Sequence, residues 1–295
     1  MAKVLITGAD SFVGTNYIKY SQNKEVDEIS LIDNQPEEID FSSYNVVLHL
    51  VAIVHQLKTI SKEEYFKVNK DLCLRTAEEA KKAGVKQFIF LSTVKVYGEF
   101  NPESGPWTES SECYPEDPYG RSKYEAETEL RKLEDNDFFV SIIRTPLVYG
   151  KDVRANMLSI MKLVDRIRIL PFGNVNNKRS FTYTKNLVGF IDRIIEKRAS
   201  GVFIAMDSKP LSTTELVKLI AKYLDRKIIL FNIPVPLINL GKKIIPRIFD
   251  RLYGSFEMGN SQTLKQLDFI PQHSNEEGIK EMVTAYLEQK NIKKK

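Results

Sequence analysis

In the stretch YPEDPYGRSKYEAETELRKL, Tyr119 and Lys123 stand four residues apart at the start of a helical pattern, and therefore on one helix face. A lysine so placed can draw a phenol's pKa down from about 10 toward neutrality. A shift of about three units corresponds to roughly 4 kcal/mol, within reach of an ammonium and a second positive charge nearby. Such a phenol exchanges a proton with an alcohol or a ketone as general acid or base. The interval alone decides nothing, because Tyr20 and Lys24, Tyr223 and Lys227, and Tyr286 and Lys290 repeat it. Context separates the Tyr119 pair: 26 residues earlier the apolar run FIFLST ends in Thr93. Its hydroxyl would orient the reacting oxygen at a strand end, where ligands of open α/β sheets bind. The plainer reading is a packed tyrosine and a solvated lysine.

A second stretch, VLITGADSFVG at 4–14, carries a β-like run into Gly8 and Gly14, with Ser11 between them. In a strand-to-helix turn of this kind the first glycine permits the tight turn, a small middle residue lets backbone approach a pyrophosphate, and the last lets helix pack on strand. The turn Ser11, Phe12, Val13, Gly14 then offers backbone N–H groups and the helix dipole to phosphate. Serine adds a hydroxyl donor and brings a Cβ where glycine is ideal. The next strand pattern, EISLID, ends in Asp33, 25 residues after Gly8, with Asn34 following. A carboxylate there accepts the ribose hydroxyls of NAD and repels the extra phosphate of NADP. Asp-Asn after a strand is also a common turn or cap.

The elements that must position these groups follow from pattern. Up to residue 150, KVLIT, EISLID, NVVLHLVA, KQFIFLST and FVSIIRT read as strands. VGTNYIKYSQ, the long run EEYFKVNKDLCLRTAEEAKKAG closing at Gly84, and YGRSKYEAETELRKLE read as helices between them. The alternation predicts a doubly wound parallel sheet, an α/β fold. Only a dozen residues separate Asp33 from the strand at Asn45, so the crossover helix there is expected to be short or missing. After Gly150 come glycine and asparagine loops, a returning strand GVFIAMD, a helix STTELVKLIAKYLD and proline-punctuated sequence. We expect a sheet domain over 1–150 with returning segments near 181–206, and a smaller interleaved α/β substrate domain from 151–180 and 207–295.

With 295 residues and 42% hydrophobic content, the chain can bury a large core. Cys73 and Cys113 fit no metal-ligand spacing, and one pair would not hold a chain of this size; a reducing, cytoplasmic setting and no metal are expected. The N-terminus reads as structure and not as a signal peptide. Net charge is +4, with 43 basic and 39 acidic residues spread along the chain, and no basic stripe with interleaved aromatics points to nucleic acid. The run IILFNIPVPLINL is too short to span a bilayer. PLINLGKKIIPRIFDRLYG, apolar with interspersed basic residues, could lie at a membrane interface or pack over a substrate pocket.

Taken together, TGADSFVG, LHLVA, FLSTVKVYGE, PYGRSK and IIRTPLVYG resemble, in order and spacing, the extended short-chain dehydrogenases/reductases, in particular the NAD-dependent epimerase/dehydratase group acting on nucleotide sugars. The resemblance spans nearly the whole chain. It implies a Rossmann domain holding NAD(H), a C-terminal domain holding a nucleotide diphosphosugar, and Thr93, Tyr119 and Lys123 as the catalytic set. It further implies Asp40 near the adenine, Leu50 and Ala52 along the cofactor, and Pro146 and Val148 flanking the nicotinamide. Arg179 in NKRSFTY matches an arginine directed at the diphosphate, for which a guanidinium is well shaped, or else is a surface arginine beside Lys178. Asn156 and Arg251 are further nucleotide-contact candidates. Lys95 and His55 border the sugar, His55 being kept out of the site as a structural histidine. A homodimer through the helices around Tyr65–Ala80 and Tyr119–Leu133 is also implied.

Dehydratases of this kind carry an Asp-Glu pair after the catalytic threonine; here Val94 and Lys95 follow, which argues against elimination of water. Fucose-type epimerase/reductases place a cysteine there, and Cys113 is far away. Two hydride transfers at C4 of a UDP-hexose or UDP-N-acetylhexosamine remain, a 4-ketoreductase and a 4-epimerase. STVKVYGE and NNKRSFTYTKNLV resemble bacterial surface-polysaccharide enzymes, and Leu147 stands where many 4-epimerases carry a substrate-binding asparagine, so the reductase is slightly favoured. Chains of this fold that lose the chemistry serve as binding subunits, but here the catalytic set is intact.

Overall fold

The computed structural model describes residues 2–54, 60–102 and 105–292; His55 lies outside them. Strands β1 (Val4–Thr7), β2 (Val26–Ile29), β3 (Val46–His49), β4 (Gln87–Thr93) and β5 (Phe139–Thr145) alternate with helices α1 (Phe12–Tyr20), α2 (Lys62–Phe66), α3 (Cys73–Lys82) and α4 (Pro118–Leu133). A π-helical segment, Lys67–Leu72, joins α2 to α3, and Gly84 ends that rod with φ +87°. Beyond β5 come β6 (Leu147–Tyr149), α5 (Ala155–Arg166), β7 (Ile169–Leu170), β8 (Phe181–Tyr183), α6 (Thr184–Lys197) and β9 (Gly201–Ile204). The chain finishes with α7 (Thr213–Tyr223), β10 (Ile229–Leu230), α8 (Val235–Ile244), α9 (Pro246–Tyr253), α10 (Ser261–Leu267) and α11 (Asn275–Ile292).

Six strands pair in parallel in the order β2-β1-β3-β4-β5-β9, with helices on both faces, so the fold is a doubly wound α/β sheet of Rossmann type. Period-two alternation divides its core. Phe88 and Phe90 face Ala77, Ala80, Ala126 and Leu130 of α3 and α4, while Ile89 and Ile143 face Leu187, Phe190 and Ile194 of α6. A third apolar cluster joins α5, α7 and α11 through Met157, Met161, Val217, Ile220, Ile279 and Met282. The expected missing crossover is real: between β2 and β3 only a single 3₁₀ turn forms, Pro36–Glu38.

The second strand departs from the sequence expectation. β2 occupies Val26–Ile29 and not EISLID, because the Ser30 hydroxyl accepts the Ile32 N–H at 3.2 Å and turns the chain, burying Leu31 and leaving Ile32 exposed. The two sheet edges differ. β2 presents exposed Asp27 and Glu28, whereas β9 is covered by α10: the Ile204 N–H donates to Thr263 Oγ1 at 2.8 Å, and Asn260 Nδ2 donates to the Ile204 carbonyl.

Candidate active site

Asp117 and Pro118 start α4. The Asp117 carboxylate accepts the Gly120 N–H at 2.6 Å, and proline at the first helical position has no N–H to lose. Gly120 lets this first turn close on the strand end before it, since a Cβ there would fall 2.9 Å from the Lys95 carbonyl. Tyr119 is thereby brought beside Thr93 at the C-terminal tip of β4. Tyr65 meets the Tyr119 ring edge-on at 6.3 Å. One turn further, Lys123 is buried under the sheet end, its Nζ donating to the Leu91 carbonyl at 2.8 Å and lying 4.2 Å from the Phe90 ring centroid.

The electrostatics correct the sequence expectation. Lys123 does not draw the phenol toward neutrality in this structure. Burial pushes Tyr119 well above its usual value; the Thr93 hydroxyl opposes this, and the Asp117 and Tyr65 charges add to it. Burial in turn pulls Lys123 down to about 8, so it keeps its proton at neutral pH.

Beneath this pair lies a network that sequence reading missed. Glu127, the next turn of α4, forms a fully buried ion pair with Arg144 of β5, Nη2 to Oε2 at 2.6 Å with Nε adding two more contacts. Ser92, next to Thr93, donates to the same carboxylate, and Tyr97 covers the guanidinium at 4.7 Å. Helix α4 and strands β4 and β5 are locked together. A second tie runs from the π-segment, where buried Asn69 accepts the Ile53 N–H, donates to the Ile53 carbonyl and donates to Ser122 Oγ. His49, beside them, shares a 2.8 Å hydrogen bond with Thr7 and has no partner for Nε2 among the described residues; burial pulls its pKa down to about 3 and keeps it neutral. A buried polar residue in an apolar helix or strand was the available signal for Asn69 and His49; the π-turn had none.

The glycine turn lies against the loop after β3. A Cβ on Gly8, whose φ is +112°, would fall 3.2 Å from the Val51 nitrogen, and one on Gly14 would fall 2.7 Å from Ser11 Oγ and 3.4 Å from Leu50, so only glycine lets the turn pack this closely. Ser11 caps α1: its hydroxyl accepts the Gly14 N–H at 3.1 Å and is turned inward, contrary to the expected outward donor. Phe12 and Val13 pack on the two adjoining cores, Leu50 is buried, Ala52 and Val148 are half-buried, and Pro146 is buried. Asp33 is not at a strand end; it sits four residues past β2 in an exposed turn, accepting from Ser30 Oγ, with Asn34 donating back to the Ser30 carbonyl. Asp40 is exposed and engaged by the Ser42 N–H and hydroxyl.

On the opposite side, Arg179 Nη1 donates to the Gly254 carbonyl at 3.1 Å, at the end of α9. Burial, then the like charge of Arg251, pulls its pKa down to about 10. Two facing guanidiniums that repel each other favour an anion between them. Glu99 connects this corner with the start of α4, since its charge reaches Arg179 and its carboxylate holds Lys95 at 2.7 Å. Lys95 also pairs with Asp117 at 2.5 Å, so its ammonium is tied to the helix cap instead of standing free for a sugar. Asn156 is exposed at the start of α5, and Leu147 packs half-buried on the second-domain core. Among the described residues there is no cluster that could hold a metal and no helix long and apolar enough to cross a membrane.

Comparison with known proteins fits this geometry. The model of the "NAD dependent epimerase/dehydratase family" matches residues 4–204. A Vibrio cholerae protein named UDP-glucose 4-epimerase is 34% identical over 98% of this chain and 96% of its own. An Escherichia coli O157:H7 protein, N-acetyl-alpha-D-glucosaminyl-diphospho-ditrans,octacis-undecaprenol 4-epimerase, is 29% identical over 81% of this chain and 77% of its own. In fold, the Bacillus cereus UDP-glucuronic acid 4-epimerase solved with NAD superposes with a TM-score of 0.76 at 17% identity, covering 97% of this chain and 98% of that one.

Proposed function

The chain belongs to the NAD-dependent epimerase/dehydratase family, and from that premise we propose that it is an NAD(H)-dependent enzyme moving hydride at C4 of a UDP-hexose or UDP-N-acetylhexosamine, with 4-keto reduction as its net reaction. The arrangement that supports this direction is the Tyr119 phenol set beside Thr93 at the end of β4, where burial favours the proton-bearing form that a general acid needs. Leu147 supports the same reading, because an apolar side chain offers no hydrogen bond to a sugar that must be held in two orientations.

The strand-to-helix turn from Gly8 to Gly14 fits a dinucleotide, with Ser11, Phe12 and Val13 at the helix start, Leu50, Ala52, Pro146 and Val148 along it, and Asp33, Asn34 and Asp40 at the ribose and adenine end. When bound, NAD(H) exchanges hydride with the sugar carbon. Thr93 orients the C4 oxygen, and the Tyr119 O–H gives it a proton as the carbonyl becomes an alcohol. Lys123, one turn on, anchors the helix start to the strand through the Leu91 carbonyl, and solvent returns the proton to the phenolate. Arg179 and Arg251 hold the diphosphate, with Asn156 toward the nucleotide. In this reading 1–150 with 181–206 carries the cofactor, 151–180 and 207–295 carry the sugar, and the chain works as a homodimer in a reducing cytoplasm.

The names of the two relatives support a second reading, 4-epimerisation, in which the phenol first removes the proton it later returns. The deciding assay follows NADH absorbance with a UDP-4-keto-6-deoxy-N-acetylhexosamine, using Tyr119→Phe as control. Stoichiometric oxidation that the control lacks establishes the reductase. No oxidation, with UDP-glucose or UDP-N-acetylglucosamine converted to the C4 epimer, assigns the epimerase; silence in both leaves a binding subunit.

A further inference from the structure

Of the α8–α9 hairpin the proposed chemistry uses only Arg251, near the end of α9, and leaves all of α8 without a role. Neither helix has a buried residue among those described. The hairpin is nevertheless internally built. Gly241 makes room for Phe249, since a Cβ there would fall 2.2 Å from its Cζ. Phe249 stacks on Tyr253 at 5.5 Å, and the Tyr253 hydroxyl donates to the Pro171 carbonyl at 2.8 Å, so the inner face of α9 is anchored. The outer side is apolar: Leu237, Leu240 and Ile244, three and four apart on one face of α8, and Ile248 on α9 are each more than half exposed.

Charge selects what this face meets. Between Asp225 and Asp250 the sequence holds no acidic residue but contains Lys227, Lys242, Lys243 and Arg247, besides Arg226, which is paired with Asp165. A second copy of the same hairpin would bring basic segment against basic segment. An anionic bilayer complements both features, taking the apolar side chains at its acyl boundary and the basic ones among its headgroups. We propose that the α8–α9 hairpin seats this protein peripherally on an anionic lipid surface.

The test is flotation of the full chain with vesicles of phosphatidylcholine alone and of phosphatidylcholine with phosphatidylglycerol. The expected result is binding to the anionic vesicles that high salt reverses, reduced on the order of tenfold or more by the double variant L240S/I244S and weakened by Lys243→Glu. Ile32→Ser, at an exposed isoleucine elsewhere, should bind as wild type. Circular dichroism shows whether each variant stays folded. The proposal is overturned if wild type remains unbound, if L240S/I244S floats as well as wild type, or if light scattering shows a dimer that L240S/I244S splits while vesicles bind neither form. Because the assay contains neither cofactor nor sugar, its failure leaves the C4 hydride-transfer reading standing.

Discussion

The second turn of α4 and the α8–α9 hairpin are built on opposite terms. Lys123 and Glu127 are buried and answered, by Leu91, Ser92 and Arg144, and the helix is tied through Ser122 and Asn69 to the loop beside the glycine turn. In the hairpin a glycine–phenylalanine contact joins the two helices, α9 is anchored through Tyr253 and the Leu252 carbonyl, and the apolar side faces outward. The difference teaches where exact placement is needed. A phenol and a hydroxyl that must share one oxygen tolerate little displacement, whereas a surface seat needs only the right chemistry in roughly the right place.

The largest test of the rigid side is Glu127→Ala. It leaves Arg144 buried without its carboxylate and should cost about 3–5 kcal/mol in denaturant unfolding; a loss below about 1 kcal/mol would show that the network is ornamental. At the seam between the regions, Arg179→Met should raise KM for the nucleotide sugar roughly 10–100-fold while kcat changes far less. Equal losses in both constants would move Arg179 from ground-state binding into the chemical step.

His49 gives the rigid side a pH signature. Its folded pKa of about 3 lies below the ordinary value near 6.5, so the unfolded chain binds the proton more readily and stability falls as pH drops from about 6.5 toward 3. The loss should reach roughly 2 kcal/mol by about pH 5, and His49→Gln should flatten that stretch of the unfolding curve. The smallest effects belong to the hairpin. Leu240→Ser should change global stability by no more than about 0.5 kcal/mol, and hydrogen exchange should find the amides of α8 and α9 opening long before those of α4. Equal protection in both would erase the contrast.

How much of this could be read in advance depended on whether the signal was local. Tyr119, Lys123 and Thr93 were legible because a strand end and a helix start each carry their own pattern, and the missing crossover was legible from chain length alone. The early end of β2 was not, since a single Ser30 hydroxyl decides it against a run of good strand formers, and Asp33 was displaced with it. Nor was the Glu127–Arg144 pair, because its members lie 17 residues apart on different elements and only the finished sheet brings them together. Lys95 was expected near the sugar; its two carboxylate partners, Glu99 and Asp117, were visible in the sequence but not their convergence.

The two edges of the sheet carry a consequence for solubility and assembly. On β2 the exposed Glu28 and the Lys3–Asp27 pair would have to be desolvated by an incoming strand, and on β9 the donor and acceptor of Ile204 are already taken by Thr263 and Asn260 of the α10 region. A sheet closed in this way is a poor template for growth by strand addition, in the native fold and in crowded solution alike. Self-association of this chain is thereby steered away from its strands and toward the faces of its helices.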